Sequence, residues 1–373
     1  MSVSQGFWVM PNWNIRSKTH RLSAIYPSGL HSVLAVNEYG KWYGWGSNQY
    51  NLITSTGSLY YVYPRSADTI QTLQDSNGFN KLTLGNAHAA YLDASNNIFC
   101  WGRSNRGQIG NGGSATVSTP YQHASILNAT NAIAYGDTTM GFGENGSGYD
   151  RRFGWGNNAF GQLGSSAISL TQLYNPYELN PIENGIYVVG RLTGGSYQDL
   201  LYGLVGSTGT LLTPNYSLDY NSTGTSHVGG QYHIIGLSGT TAYGWHVRSS
   251  GNALGQLGLG DYSNHTSPAS ITTDVAQIAA GGFHTAILKT DKTLWLCGSN
   301  SNGQLAQPVT TTRSNTLLQV PGTWEYVACG YLQTYAIDGY GALWAWGYAA
   351  NGALGNGATA GNYFTPQLIM EAL

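Results

Sequence analysis

The chain has 373 residues, of which only 9% are charged, and its 15 basic and 17 acidic residues give a net charge of −2. Ordinary soluble domains contain roughly 25% charged residues. Because the sequence lacks a basic surface of the kind that holds a phosphate backbone, nucleic acid is excluded as an expected partner. The 11 Trp, 27 Tyr and 8 Phe residues supply a large apolar core and argue against disorder.

The N-terminal stretch "MSVSQGFWVMPNWNIRSK" lacks the basic start and the run of about 7–15 apolar residues of a secretory signal. No stretch approaches the ~18 apolar residues of a membrane-spanning helix, so we expect no membrane insertion. Residues 1–24 are predicted to supply a closing strand, an attachment arm with the apolar segment Phe7 to Trp13, or both. The three cysteines cannot all pair within one chain, and we expect buried free thiols.

One phrase, seen as "CWGRSNRGQIGNG" at residues 100–112, occurs six times along the chain. Eight residues separate its Trp position from its Leu position in five copies, namely Trp45 to Ile53, Trp101 to Ile109, Trp155 to Leu163, Cys297 to Leu305 and Trp346 to Leu354. The sixth copy, Trp245 to Leu257, has four more residues. Such a fixed spacing predicts a structural repeat.

A second phrase, a Gly followed three residues later by His, precedes the first one. It is clear at His88, His233 and His284, and weaker copies end at His31, Thr139, Tyr197 and Gln333. Seven units counted from this phrase begin at residues 28, 85, 136, 194, 230, 281 and 330. Their intervals of 36 to 58 residues fit propeller blades better than helical solenoids, whose 3.6-residue periodicity is absent here.

Each unit is predicted to be a small antiparallel sheet, because short apolar runs such as "HTAILKT" and "TLWLCG" alternate with Gly, Asn and Asp turns. A Gly at the start of the strand nearest the axis would let neighbouring backbones approach closely. The Trp ring is expected to fill the space between adjacent sheets while its indole N–H finds a hydrogen-bond partner.

The unit at residues 194–229 departs from this pattern, because it contains neither Trp-Gly nor the Gly-Gln-Leu-Gly turn. We predict a short, irregular fourth blade there, within a propeller that spans residues 25–373. Both ends of the chain carry apolar, strand-like runs. We therefore expect the N- and C-terminal strands to close the ring within one blade, since closure removes exposed sheet edges.

The two phrases resemble the regulator of chromosome condensation repeats. The matching motifs are Gly-x-x-His, Trp-Gly-x-Asn and Gly-Gln-Leu-Gly, followed by a proline such as Pro120, Pro268 or Pro366. The resemblance extends from about residue 24 to 373 and implies an all-β, seven-bladed β-propeller. Members of this family serve in nucleotide exchange, inhibitor binding, photoreception and scaffolding, so the resemblance alone assigns no function.

Two activities of the family find little support in this sequence. The ultraviolet-B photoreceptor members carry a Gly-Trp-Arg-His-Thr pattern, and the nearest text here is "GWHVRS" at residues 244–249. The exchange members combine acidic and polar loops with a basic tail, whereas this sequence has few loop charges and no such tail.

Motifs for catalysis or metal binding are weak. Gly141, Gly143 and Gly146 match Gly-x-Gly-x-x-Gly without a following helix, which predicts a flexible turn or insertion. Nucleophile elbow, His-Glu-x-x-His and Walker motifs are absent from the sequence. The repeat histidines are expected to satisfy buried backbone groups of their own blades rather than to bind a metal, and no cofactor is expected. These repeat histidines are His31, His88, His233 and His284.

Tyrosines lie beside Asn and Ser in predicted loops, where their rings could bind a sugar or a protein by stacking and hydrogen bonding. The alternative is that some of these rings only cover the blades. The candidate loop tyrosines are Tyr60, Tyr61, Tyr63, Tyr174, Tyr177, Tyr216, Tyr220 and Tyr262.

The composition and the repeats together predict a non-enzymatic recognition or assembly protein. Low charge and abundant Gly, Asn, Ser, Thr and Tyr are reminiscent of bacteriophage structural proteins, so a virion location and a role as tail fibre, decoration or receptor-binding component are expected. Expected partners are other virion proteins, a host surface protein or a glycan, and an oligomer is compatible with this role. Alternatives are a glycan-acting enzyme on one propeller face, and a cytoplasmic guanine-nucleotide exchange factor or signalling scaffold.

Overall fold

The computed structural model describes residues 21–159, 163, 171–179, 210–211, 216–217, 225–231, 233–246 and 252–371. The apolar segment Phe7 to Trp13 and most of the predicted fourth blade lie outside these residues. The first strand begins at Leu22, inside the segment 1–24 that the sequence assigns to the N-terminal arm.

Six four-stranded antiparallel sheets follow one another along the described chain, each built from consecutive strands. Sheet A contains β1 (Leu22–Pro27), β2 (Ser32–Asn37), β3 (Trp42–Ser47) and β4 (Tyr60–Ser66). Sheet B contains β5 (Lys81–Leu84), β6 (His88–Leu92), β7 (Ile98–Gly102) and β8 (Val117–Gln122). Sheet C contains β9 (Leu127–Tyr135), β10 (Thr138–Glu144), β11 (Asp150–Asn157) and β12 (Gln172–Leu179).

The remaining strands continue this order. A two-stranded piece contains β13 (Thr210–Leu211) and β14 (Tyr216–Ser217). Sheet D contains β15 (Thr225–Gly229), β16 (His233–Ser238), β17 (Thr241–His246) and β18 (Ala269–Thr272). Sheet E contains β19 (Val275–Ala280), β20 (His284–Lys289), β21 (Leu294–Ser299) and β22 (Arg313–Val320). Sheet F contains β23 (Trp324–Cys329), β24 (Gln333–Asp338), β25 (Leu343–Tyr348) and β26 (Asn362–Met370), with a 3-10 helix at Ala350–Gly352.

The first strands of the sheets lie side by side around an axis. Backbone hydrogen bonds join the turns that follow them, for example Asn86 N to Gly136 O (2.6 Å) between sheets B and C, and Gln231 N to Gly282 O (2.9 Å) between sheets D and E. Strand β23 of the last sheet contacts β1 of the first. The predicted all-β propeller is confirmed, and the count of seven blades stays a prediction.

Apolar cores lie between neighbouring sheets. Separate clusters join A with B, B with C, D with E, E with F, and F with A. The second and third strands are almost wholly buried, as in β2 and β6, whereas fourth strands such as β26 are half-exposed. Pro120 and Pro366 lie on fourth strands, at sheet edges, where a missing N–H costs no ladder hydrogen bond.

The ends of the described chain belong to different sheets. Strand β1 pairs with β2 in sheet A, and β26 pairs with β25 in sheet F. Each of these two sheets has four consecutive strands, and closure of the ring by N- and C-terminal strands in one blade stays a prediction, because residues 1–20 lie outside the described part of the chain. Packing between the complete sheets A and F brings the first and last sheets together.

One helix interrupts the succession of strands, although the sequence pattern indicates only strands. Helix α1 (Asp68–Asn77) connects sheets A and B and buries Ile70 and Leu73. Its Gln71 and Gln74 side-chain oxygens accept hydrogen bonds from the backbone N–H (2.9 Å) and the indole N–H (2.5 Å) of Trp42. The apolar spacing of so short a helix is too brief to stand out as a 3.6-residue period.

Candidate functional site

The repeated Trp residues lie between sheets, and their indole groups bond to the preceding sheet. Four of them donate from Nε1 to the carbonyl of the residue just before the Leu position of that sheet. The pairs are Trp45 to Ala353 (2.9 Å), Trp101 to Leu52 (3.4 Å), Trp155 to Gln108 (2.9 Å) and Trp346 to Gln304 (2.8 Å). Trp245 is also buried, with 3% of its surface exposed.

Three repeat histidines take part in the same contacts. At the interface of sheets E and F, His284 Nε2 lies 3.0 Å from the Thr334 hydroxyl, which donates to Gln304 O (2.9 Å). Because this hydroxyl donates its single proton to the Gln304 carbonyl, its oxygen must accept the hydrogen bond from His284 Nε2–H. Histidine, threonine, turn carbonyl and tryptophan thus form one buried network, which we call the latch.

The histidine, threonine and carbonyl of the latch recur at two further interfaces. Sheets B and C are joined by His88, Thr139 and the Gln108 carbonyl. Sheets D and E are joined by His233, Thr285 and the Gln256 carbonyl. In the second case Cys297 stands at the Trp position, and its Sγ donates to the Gln256 carbonyl at 3.4 Å.

These contacts correct the expected partners of the histidines. Each imidazole is expected from the sequence to bond to backbone groups of its own blade, but in these three histidines Nε2 bonds to a Thr side chain of the next sheet. The sequence carries a signal for these threonines, since Thr139, Thr285 and Thr334 each directly follow the His position of their own sheet. Each contributes its hydroxyl to the preceding sheet, a role that one unit considered alone does not reveal.

The register also changes two assignments. His88 and His284 pair opposite the second Gly of the Trp-Gly phrase, at Gly102 and Gly298. The residue in that place in sheet A is Ser32, opposite Gly46, so His31 lies one position earlier. In sheet C it is Thr138, opposite Gly156, so Thr139 is the residue after the His position.

The Gly of the Gly-x-x-His phrase lies in the turn after the first strand, rather than at that strand's start. A methyl group at Gly281 would overlap the His284 ring and lie 2.6 Å from the Gly330 carbonyl oxygen of the next sheet. Gly85 and Gly230 have the same relation to His88 and His233. Glycine is required here because the imidazole and the neighbouring backbone occupy the space of a Cβ.

Burial determines the protonation of the latch histidines. It lowers the pKa of His88 and of His284 to about 4, and that of His233 to about 3, from an ordinary value of 6.5. Asp137 beside His88 partly offsets the effect of burial on the pKa of that imidazole. At neutral pH the three rings are therefore uncharged.

The candidate tyrosines lie mainly on fourth strands instead of loops. Tyr60, Tyr61 and Tyr63 belong to β4, and Tyr174 and Tyr177 to β12. The Arg65 guanidinium lies 4.4 Å from the centre of the half-buried Tyr61 ring, whose hydroxyl is 3.0 Å from that of Thr54. Tyr60, Tyr63 and Tyr177 expose 45%, 42% and 48% of their surface, so these three remain accessible to a partner.

Tyr262 lies where polar groups of sheets D and E meet. It lies in the connection between β17 and β18, is 43% exposed, and has the Arg313 guanidinium 4.4 Å from its ring centre. Arg313 also donates to Ala253 O (2.8 Å), which ties sheet E to sheet D. Tyr216 lies in β14, and Tyr220 falls outside the described residues.

Antiparallel order places the connections of each sheet at two opposite faces. The turn face carries the connections from first to second and from third to fourth strands, and the hairpin face carries all others. The described connections of the turn face carry the charged residues Arg103, Arg106, Asp137 and Asp261, and Arg313 at the start of β22 adds a guanidinium beside Tyr262. On the hairpin face they are Glu38, Lys41, Asp68, Asp75, Asp93, Asp274, Asp291 and Lys292.

A cavity of about 120 Å³ lies on the axis, lined by glycine-rich turns of the six four-stranded sheets. Pockets for small ligands commonly measure about 300–1,000 Å³. Across the axis, the Tyr331 hydroxyl donates to Gln231 Oε1 (2.5 Å), and the Tyr135 hydroxyl donates to Gly230 O (3.3 Å). The described part of this cavity is therefore too small for an ordinary cofactor.

Other sequence candidates occupy structural positions. Gly141 and Gly143 lie within β10, and Gly146 lies in the hairpin after it, so two of these glycines are in a strand rather than the expected turn.

In the described part of the chain, no three His, Cys, Asp or Glu side chains come together as metal ligands. No described helix has the length and apolarity needed to cross a membrane. Cys100 and Cys297 are buried free thiols, and Cys329 is a half-buried one.

Comparison with known proteins gives matches to one repeat family. A family model of the regulator of chromosome condensation (RCC1) repeat matches residues 79–108 and 275–304, and a second one of the same description matches 251–288. The ultraviolet-B receptor UVR8 of Arabidopsis thaliana is 27% identical over 339 residues, which are 83% of this chain and 73% of that protein.

Two further similarities are partial or structural. The probable E3 ubiquitin-protein ligase HERC3 of Homo sapiens is 32% identical over 139 residues, which are 35% of this chain and 13% of that protein. The crystal structure of yeast RCC1 (Prp20) bound to Kap60 has a TM-score of 0.66 at 18% identity, and covers 99% of this chain and 89% of that chain. At this identity the structural similarity supports the fold alone.

Proposed function

Because this chain carries regulator of chromosome condensation repeats in a β-propeller of that type, we propose that it is a non-enzymatic binding protein whose partners are other proteins. One observation carries this proposal: three of the repeated histidines are buried and committed to contacts between sheets. Exposed residues differ from sheet to sheet and include tyrosines on fourth strands and in turns. We therefore expect these variable, exposed residues to bind the partner.

The names of similar proteins support binding but do not specify a partner. Yeast RCC1 is described in complex with Kap60, which is a protein. HERC3 is named a ligase, but this chain corresponds to only 13% of that protein's length, so ligase chemistry is not carried over. We therefore propose binding without turnover.

The specific role we propose is that of a bacteriophage virion protein, acting as a tail fibre, decoration or receptor-binding component. Support comes from composition, because a chain with 9% charged residues and many Gly, Asn, Ser, Thr and Tyr residues suits extracellular particles that must remain inert until they meet a host. Candidate partners are other virion proteins, a host surface protein or a host glycan.

Immunogold labelling tests the proposed location. Antibodies against the purified propeller should label purified phage particles at a defined structure, and the label should disappear after competition with free propeller. Labelling confined to host cytoplasm would contradict the virion role while leaving protein binding open.

Two activity assays address the alternatives. The purified chain should release no product from a polysaccharide panel and should not accelerate nucleotide release from small GTPases. Turnover in the first assay, or acceleration in the second, would reject the non-enzymatic proposal.

A substitution on each face tests which face binds. Tyr262→Ala should weaken binding to virion proteins if the turn face is used, and Tyr340→Ala on the hairpin face is the matched control.

A further inference from the structure

Asn-Gly pairs recur in the turns of this chain. In such a pair the backbone nitrogen of the glycine can attack the side-chain carbonyl carbon of the asparagine, because glycine has no side chain to hinder the approach. How readily each pair reacts then depends on how the fold holds the glycine nitrogen. The pairs in the described part of the chain begin at Asn77, Asn111, Asn145, Asn302, Asn351 and Asn356.

Backbone hydrogen bonds hold the glycine nitrogen in all of these pairs but one. Gly112 N donates to Tyr174 O (2.7 Å), and Gly357 N donates to Val62 O (2.9 Å), so both nitrogens are tied to the fourth strand of the next sheet. Attack by such a nitrogen first requires the loss of its hydrogen bond, which slows the reaction. Bonds to carbonyls three or four residues earlier hold the nitrogens of Gly78, Gly303 and Gly352.

Gly146 differs from these five glycines. It is exposed in the hairpin between β10 and β11, and its N–H has no hydrogen-bond acceptor among the described residues. A methyl group built on this glycine would meet nothing within 4 Å, so the space around it is open to water. The nitrogen of Gly146 can therefore attack without the loss of a hydrogen bond.

The side chain of Asn145 is held in a way that favours the attack. Its Oδ1 accepts hydrogen bonds from the backbone N–H of Ser147 (3.0 Å) and of Tyr149 (3.3 Å). Negative charge develops on Oδ1 as the nitrogen attacks Cγ, and two fixed N–H donors stabilise such charge. The Nδ2 group donates to Glu178 Oε2 (3.3 Å) at the exposed surface, where the departing amine can escape into water.

From these observations we propose that Asn145 is a site of spontaneous deamidation in the folded protein. A bond forms between Gly146 N and Asn145 Cγ, the Cγ–Nδ2 bond breaks, and the proton of the glycine nitrogen leaves with the amine as ammonia. Water then opens the cyclic succinimide to aspartate or isoaspartate. The product carries a new negative charge next to Glu144 in the chain and close to Glu178. This inference goes beyond the proposed function, since a protein that binds other proteins need not be modified.

Peptide mapping by mass spectrometry tests the site, after incubation of the purified full chain at mildly alkaline pH. At each asparagine the rate in the folded chain is divided by the rate in the chain unfolded in guanidinium chloride. The rate at Asn145 should stay above about half of its unfolded value, whereas the other five described pairs should slow at least about fivefold. A reduction at Asn145 as large as at the other five would overturn the proposal.

A substitution identifies the attacking nitrogen. Gly146→Ala should slow the loss of the Asn145 amide at least about fivefold, because the methyl group hinders the nitrogen while meeting no neighbour in the fold. Ser147→Ala is the matched control, since it keeps the backbone N–H that Oδ1 accepts, and its rate should change less than about twofold. An unchanged rate in Gly146→Ala would contradict the reaction, and either result leaves the proposed function unaffected because these assays involve no partner.

Discussion

The interface between sheets E and F differs from that between F and A, where the ring of described sheets returns to its start. At E to F, Thr334 and Trp346 both donate to the Gln304 carbonyl. At F to A, Tyr335 (2.8 Å) and Trp45 (2.9 Å) both donate to the Ala353 carbonyl. The donors differ, but each turn carbonyl receives two hydrogen bonds.

These two interfaces share a turn carbonyl that receives two side-chain hydrogen bonds. A buried carbonyl oxygen has two lone pairs, and leaving one unsatisfied costs free energy. Tryptophan supplies one donor at both interfaces, while the second comes from the neighbouring sheet at E to F and from the same sheet at F to A. Histidine is present where threonine is the second donor, since the threonine oxygen then accepts the imidazole N–H.

The largest expected effect is that of acid, because it acts on three latches at once. Burial lowers the folded-state pKa of His88 and His284 to about 4, below the 6.5 of the unfolded chain. The contribution of each neutral histidine to the free energy of unfolding is complete above pH 6.5. This contribution, about 1 to 3 kcal/mol for each histidine, is lost as the pH falls toward 4. Denaturant unfolding at several pH values measures it.

A variant identifies the titrating groups behind this loss. His284→Gln should retain a hydrogen-bonding side chain but remove one histidine from the titration, so the stability should depend less steeply on pH than in the wild-type protein. An unchanged pH dependence would show that other groups cause the loss.

The next largest effect is expected from removal of a shared donor. Trp346→Ala and Trp45→Ala each delete a fully buried ring together with one hydrogen bond to a turn carbonyl. Each should lower the free energy of unfolding by about 3 to 5 kcal/mol, measured by chemical denaturation. Trp295→Ala, which removes a half-buried ring, provides the comparison and should cost less. A cost at only one of the two interfaces would contradict a common role.

Filling the space beside the imidazole should have an intermediate effect. Gly281→Ala would force a methyl group into the His284 ring and toward the Gly330 carbonyl, and should cost about 1 to 3 kcal/mol. Gly146→Ala is the matched control, because a methyl group there meets nothing within 4 Å. Thermal unfolding of both variants measures the difference, and equal melting temperatures would refute the close approach of neighbouring sheets.

The smallest effect is expected from loss of the second donor alone. Thr334→Val at E to F and Tyr335→Phe at F to A each leave a turn carbonyl with the tryptophan bond only. Tyr335→Phe should cost about 1 kcal/mol, the usual net value of one hydrogen bond, and Thr334→Val about 1 to 3 kcal/mol, because it also leaves the buried His284 N–H without its acceptor. In a double-mutant cycle Thr334→Val should be coupled to His284→Ala, whereas Tyr335→Phe should not. Coupling in both cases would show that the two interfaces do not differ in this way.

Much of the fold could be predicted from the sequence, because the repeated Gly and Trp positions have local or nearest-neighbour causes. The Gly of Gly-x-x-His and the buried Trp serve the same contacts in most copies, so their spacing stands out while other residues vary. Helix α1 is missed since it occurs once and is short. His31 is misplaced because a Gly-x-x-His match does not reveal the strand register.

The positions of the candidate tyrosines were predicted less well. Tyr60, Tyr63 and Tyr177 were expected in loops, but they lie on fourth strands, where alternation exposes some rings and buries others. Exposure depends on which sheet edge faces solvent. The number of Tyr residues does not contain that information.

The sequence by itself determined the repeating antiparallel sheet and the composition of its core, since these depend on residue types at short, regular spacings. Only the tertiary structure decided which sheet each side chain serves. His284 bonds to a threonine 50 residues away, and Trp45 to a carbonyl 308 residues away. The division of the connections between two faces is likewise a property of the assembled ring, because consecutive connections alternate between them.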